Sequence, residues 1–114
     1  MIWLNVEIKE EINNCYLYIF RNGKITEYEG TIRVYKGVFK KAFAIKGTGR
    51  VYRGISPVEG VVLSNEVWYK SRKTKDEITK RFKDHLEDEN AKLQRRINKN
   101  NQILKEGFVC QMTT

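Results

Sequence analysis

Histidine occurs once in the 114 residues, proline once and cysteine twice. Each scarcity excludes something. Cys15 and Cys110 have no CxxC spacing and no histidine cluster between them, so no zinc ribbon can form, and both are expected as free thiols in a reducing compartment. One proline and eight glycines leave no linker or low-complexity segment. No apolar run approaches the length of about 18 residues that a bilayer span needs. The opening Met1-Ile2-Trp3-Leu4-Asn5-Val6-Glu7 has no basic segment before an apolar one, so it does not read as a signal peptide, and a cytoplasmic protein without a membrane partner is expected. There is no nucleophile elbow, phosphate loop or HExxH pattern. His85 and Glu89 stand one helical turn apart, but two ligands on an exposed helix make a poor metal site. A non-catalytic role without a cofactor follows as the expectation.

What is present is a chain of ordinary globular composition, 40% hydrophobic and 32% charged. Its length suits one domain, residues 1–114. Residues 2–70 read as short strands. Ile2–Ile8 alternates, and Cys15–Phe20 has the aromatic and apolar composition that strands favour. Arg21-Asn22-Gly23-Lys24 follows, and Asn-Gly tolerates the positive φ angles of a type I′ hairpin turn. The return strand is Ile25–Tyr28, ending at Gly30. Further strands are expected at Thr31–Lys36, Phe39–Lys46 and Arg50–Arg53. Gly54-Ile55-Ser56-Pro57 reads as a loop, and Val61–Leu63 with Glu66–Tyr69 as a last pair around Ser64-Asn65. Short glycine-bearing connections imply antiparallel neighbours. Six to eight such strands predict an α+β fold: a small antiparallel β-barrel or curved sheet followed by one long C-terminal helix.

Thr74-Lys75-Asp76-Glu77 is a capping box, with a threonine and a glutamate placed to satisfy each other's backbone amides. Gly107 is the expected stop, with Phe108 placed for a contact after a glycine cap. The helix 74–106 would be about 48 Å long if straight. Its weak point is Asn98–Asn101, since asparagine is a poor helix former. Ile78, Phe82, Leu86, Leu93, Ile97 and Leu104 form a narrow seam with recurring eleven-residue intervals, a period that hardly drifts around a straight helix. Ile78, Phe82 and Leu86 are expected to pack on the sheet. Leu93, Ile97 and Leu104 call for another chain, so a homo-oligomer formed through the helix is expected. In the tail 107–114, Phe108-Val109-Cys110-Gln111-Met112 is apolar enough to add a short strand or dock on a partner.

The net charge is +8. The stretch from Gly30 to Val58 contains no aspartate or glutamate and carries Arg33, Lys36, Lys40, Lys41, Lys46, Arg50 and Arg53, seven of the eight net charges. Tyr35, Phe39, Phe43 and Tyr52 interleave with them. Cations and rings together suit a surface that pairs phosphates and stacks bases. The plainer arrangement is rings inward and charges outward. A second basic group is Lys70, Arg72, Lys73 and Lys75. On the helix, acidic Asp84, Glu87, Asp88 and Glu89 precede basic Lys92, Arg95, Arg96 and Lys99, a pattern that can pair between antiparallel copies.

Val67-Trp68-Tyr69-Lys70, followed by the capped helix Thr74 to Glu106, resembles short accessory proteins of phages from low-GC Gram-positive bacteria. The order of antiparallel sheet, long helix and short terminal segment resembles phage anti-Thoeris sponges, oligomers that sequester cyclic ADP-ribose-type signals. The resemblance implies a phage anti-defence protein in the cytoplasm of an infected bacterial host cell. It also implies a closed pocket at a subunit interface, with arginines on the ligand's phosphates and a ring under its adenine. Arg33, Arg50, Arg53, Arg72, Arg95 and Arg96 are available for the first role, and Tyr52, Trp68 and Phe82 for the second. Three other readings compete. The chain could inhibit a host nucleic-acid-targeting defence protein such as a CRISPR effector, bind DNA or RNA directly, or serve in virion assembly.

Overall fold

The computed structural model describes residues 7–108. The chain falls into two compact units, Met1–Phe82 and Lys83–Thr114. The first contains five strands and the opening turns of the helix. The strands are β1 (Ile8–Arg21), β2 (Lys24–Tyr35), β3 (Lys41–Ile45), β4 (Val51–Ile55) and β5 (Glu66–Tyr69). They form one antiparallel sheet in the order β4-β3-β2-β1-β5. The sheet is open rather than a closed barrel. Its curvature shows in the packing: Ile55 on one edge strand and Trp68 on the other belong to the same buried cluster.

Strand alternation sends two sets of side chains to opposite faces. Cys15, Leu17 and Ile19 of β1 join Ile32, Phe43, Ile45, Ile55 and Trp68 in one core. Tyr16, Tyr18 and Phe20 point the other way, to Val62, Val67, Ile78 and Phe82. There Phe20 stacks on Phe82 at 5.5 Å between ring centroids.

Asn22 and Gly23 have φ of 51° and 75°, and Arg21 pairs with Lys24, so the β1–β2 hairpin turns as its Asn-Gly predicts. Other boundaries differ from the sequence reading. Among the described residues there are five strands, and two features account for boundaries that differ from the expected six to eight. Gly30 does not end a strand. It lies within β2, where a side chain would collide with the Ala44 carbonyl and come within 2.8 Å of the Phe43 ring. A glycine there lets β3 approach. In addition, polar Lys9–Asn14 belongs to β1, because Glu10, Glu11 and Ile12 pair with Val34, Arg33 and Ile32. Sheet pairing overrides the low strand propensity of these residues. A register irregularity between Ile12 and Cys15 accompanies Asn14 at φ 58°.

Smaller corrections follow. Phe39 lies outside β3 and is 81% exposed. Ile55 ends β4 and is buried. Val61 and Val62 are not strand, and Leu63 makes only a single bridge to Glu66 around Ser64-Asn65. The expected strand over Ile2–Val6 and the tail from Val109 onward lie outside the described residues.

Helix α1 (Lys75–Glu106) opens on the capping box. The Glu77 amide donates to the Thr74 hydroxyl at 3.2 Å, and the Thr74 amide to the Glu77 carboxylate at 3.3 Å. The helix runs unbroken through Asn98–Asn101. It ends at Gly107, whose φ is 87° and whose amide donates to the Ile103 carbonyl at 2.8 Å. Phe108, expected in contact after the cap, is 77% exposed. Of the seam, Ile78 and Phe82 are buried, but Leu86 is exposed, so the packed face is one turn shorter than predicted. Every residue from Leu86 to Glu106 is exposed. Among the described residues no helix is long and apolar enough to cross a membrane.

A polar clasp fixes the approach to α1. The Tyr18 hydroxyl donates to Glu27 at 2.8 Å and accepts from the Lys73 amide at 2.9 Å. Arg72 closes on the same carboxylate at 2.8 Å. Burial pushes the Tyr18 pKa up to about 12, and its bond to Glu27 adds to the rise. Burial also works to raise Glu27, but hydrogen bonds from Arg72 and Tyr18 outweigh it and hold the carboxyl below its usual value. This contribution to stability is present above the unfolded carboxyl pKa and lost as pH falls through the folded one. Tyr18→Phe leaves the Lys73 amide and the carboxylate short of a partner, an expected cost of about 1–3 kcal/mol. Urea unfolding at pH 7 measures it, and Glu27→Gln should flatten the acid limb of the same titration.

Candidate functional site

The hairpin register determines which side chains meet. Arg21 faces Lys24, Ile19 faces Thr26 and Leu17 faces Tyr28, so these six share one side of the β1–β2 ribbon. On β3 and β4, Phe43 faces Tyr52. Curvature brings Tyr52 to Tyr28, with ring centroids 5.7 Å apart and planes tilted by 44°. Arg50, just before β4, lies over the Tyr52 ring at 5.8 Å. The result is a cavity of about 350 Å³ lined by Ile19, Arg21, Asn22, Lys24, Thr26, Tyr28 and Tyr52. All of these come from the first unit. The volume falls within the usual range for small-molecule sites, about 300–1,000 Å³.

The lining carries two cations, two phenols, an amide and a hydroxyl, and no carboxylate. Burial raises the Tyr52 pKa, and neighbouring Tyr28 raises it further, against the opposing charges of Arg50 and Arg21. Tyr52 is therefore a neutral phenol at pH 7. Such a set can accept an anion on its guanidinium and ammonium groups, a planar ring against its tyrosines, and polar edges on Asn22 and Thr26.

An acid outside the lining interacts with Arg21. Glu66 lies opposite Ile19 on β5, and burial raises its pKa against the pull of Arg21. A raised carboxyl contributes stability below its unfolded pKa that is lost as pH rises through the folded value. Glu66→Gln is therefore expected to raise the urea midpoint at pH 7 and to narrow that gain at pH 4. It should also tighten any anion held by Arg21.

Seven of the nine residues that sequence reasoning selected lie in the first unit, and those seven do not form one site. Arg50 and Tyr52 meet at this cavity. Arg33 and Arg53 belong to the other face of the sheet, on either side of Ala42. Arg53 lines a second cavity, about 470 Å³, with Ile8, Tyr35, Val38, Lys40, Lys41, Ala42 and Gly54. The Arg33 Nε lies 4.0 Å from Glu11. Trp68 is 2% exposed and donates its indole N–H to the Ser56 carbonyl at 2.7 Å, so it is core and cannot stack a base. Phe82 is likewise buried against Phe20. Arg72 is committed to Glu27. Arg95 and Arg96 are exposed on α1 in the second unit and line neither cavity.

The acid-free stretch is also less isolated than its sequence implies. Lys36 pairs with Glu7 at 3.2 Å, Lys46 with Glu29 at 3.8 Å, and Arg33 with Glu11. Glu11 and Glu29 come from β1 and β2 and Glu7 directly precedes β1, and strand pairing places them alongside. Conversely, sequence reasoning missed Arg21, Asn22, Lys24, Thr26 and Tyr28. Their signal was the Asn-Gly turn itself, which fixes the register that puts Arg21 beside Lys24. On α1, the His85 imidazole sits 3.2 Å from Glu89, and no group of three metal-ligating side chains occurs among the described residues. The chain matches no protein-family model, no curated protein and no solved structure, so its function has to be read from its own residues.

Proposed function

We propose that the protein binds a small aromatic anion, by its chemistry a nucleotide, in the cavity at the β1–β2 hairpin, and holds it without turnover. The observation that carries this reading is Arg21, Lys24 and Arg50 gathered around the Tyr28–Tyr52 pair, with no carboxylate in the lining. Phosphate would take the cations, and the base would lie against a tyrosine. Sequestering a nucleotide immune signal, as a phage anti-defence protein does, is the role such binding would serve in an infected bacterial cell. The exposed seam on α1 supports assembly of more than one copy. Titration calorimetry with AMP, ATP and cyclic ADP-ribose tests the binding. At least one should bind and be recovered intact, and Tyr52→Ala should weaken it by about tenfold or more, the scale of a lost base–ring stack. No heat with any of the three, or equal binding by the variant, contradicts the proposal.

A nucleic-acid strand is the second reading. It is favoured by Phe39, 81% exposed between Lys36 and Lys40 in the β2–β3 connection. It requires oligonucleotide affinity that falls steeply with salt. An inhibitor of a host defence protein would instead bind neither nucleotide nor oligonucleotide.

A further inference from the structure

The second unit carries a surface that the ligand-binding reading does not use. Leu86, Leu93, Ile97 and Leu104 are 37%, 50%, 49% and 71% exposed on an uninterrupted helix. With Asn90 and Asn100 they recur at alternating intervals of four and three residues. This is the spacing of a coiled-coil seam, with Leu86, Leu93 and Asn100 at d and Asn90, Ile97 and Leu104 at a. Isolated apolar residues on a surface are ordinary, but a seam at this repeat is a two-helix interface with one side missing.

The charges select the occupant and its direction. Asp84, Glu87, Asp88 and Glu89 make the turns around Leu86 acidic, and Lys92, Arg95, Arg96 and Lys99 make those around Ile97 basic. Asp88 and Lys92 bond within the helix at 3.0 Å, and His85 sits beside Glu89. Neither Arg95 nor Arg96 is in an ion pair that would remove it from such an interface among those described. A parallel partner would gain nothing from these charges. It would place Glu89 beside Gln94 and Arg96 beside Asn101, with no opposite charges across the seam. An antiparallel partner of the same sequence complements both halves at once.

We propose that two copies of this chain pair antiparallel along α1. Leu86 of each packs against Ile97 of the other, Leu93 against Asn90, and Glu89 meets Arg96 on both flanks of the two-fold axis. The alternative antiparallel register, with Leu86 on Leu104 and Leu93 on Ile97, buries more apolar surface. It also sets Arg96 against Arg96 on the axis, which like-charge repulsion disfavours. The pairing described lies within residues 84–99 of each copy and is independent of any ligand in the hairpin cavity.

Charge exchange on the full-length protein tests it, read by native mass spectrometry and light scattering. The unmodified protein is expected to be a dimer. Glu89→Arg and Arg96→Glu should each weaken dimerisation by at least tenfold, since each places like charges across both flanks. The double variant should recover it. Both positions of change are exposed, so folding is not at stake, and helix content by circular dichroism should be unchanged. A monomeric unmodified protein overturns the proposal. So does a dimer indifferent to the single exchanges, which is the outcome for a parallel pair, or one that the double exchange fails to restore.

Discussion

Replacing Gly30 with alanine is expected to cost about 3 kcal/mol or more, the upper range for forcing an extra carbon into a packed site. The added carbon would strike the Ala44 carbonyl, which is backbone, and lie 2.8 Å from the buried Phe43 ring. Neither can turn aside as a flexible side chain could. Gly30 pairs with both Cys15 and Ile45, so relief requires β3 to withdraw from β2 at the centre of the sheet. Phe43 and Ile45 would withdraw with it from the cluster that holds Trp68. For a domain of this size a loss on that scale lowers the melting temperature by more than about 10 °C. Differential scanning calorimetry measures it. Gly23→Ala is the useful contrast, because nothing lies within 4 Å of that position and only its φ of 75° resists the change.

The double substitution Arg21→Ala, Arg50→Ala should weaken nucleotide binding by about a hundredfold or more, taking each charge-assisted hydrogen bond at about 1.5–3 kcal/mol. Both side chains are exposed, and Arg50 contributes a ring contact rather than core packing, so the fold should tolerate their loss. Arg33→Ala with Arg53→Ala removes the same charge from the opposite face and should change affinity only slightly. Calorimetry on both pairs separates a specific cavity from general basicity. Equal losses would mean that net charge alone attracts the ligand, and such an attraction is screened at physiological salt.

Much of the architecture was legible because local chemistry decided it. Asn22-Gly23 set the first hairpin, Thr74 and Glu77 the start of α1, and Gly107 its end. The failures have a common cause. Gly30 looks like a turn residue until β3 is seen against it. Lys9–Asn14 carries no strand signal of its own until β2 is seen to pair with it. Both depend on contacts between residues distant in sequence. The site suffered in the same way. Counting charges along the chain identified Arg33 through Arg53 as one stripe, but a one-residue difference in parity sends Arg33 and Arg53 to one face and Arg50 and Tyr52 to the other. Trp68 and Phe82 are rings of the right kind in the wrong place, since β5 and α1 bury them. What remained unread was the partnership of the hairpin end with β4, which only the curvature of the sheet creates.

The most direct measurement is a two-dimensional amide NMR titration of the full-length protein with ATP. Shifts concentrated at residues 19–28 and 50–52, saturating with one nucleotide per chain, are the predicted result. An unperturbed spectrum, or shifts gathered instead around Arg33 and Arg53 or along α1, would contradict the assignment of the hairpin cavity as the binding site.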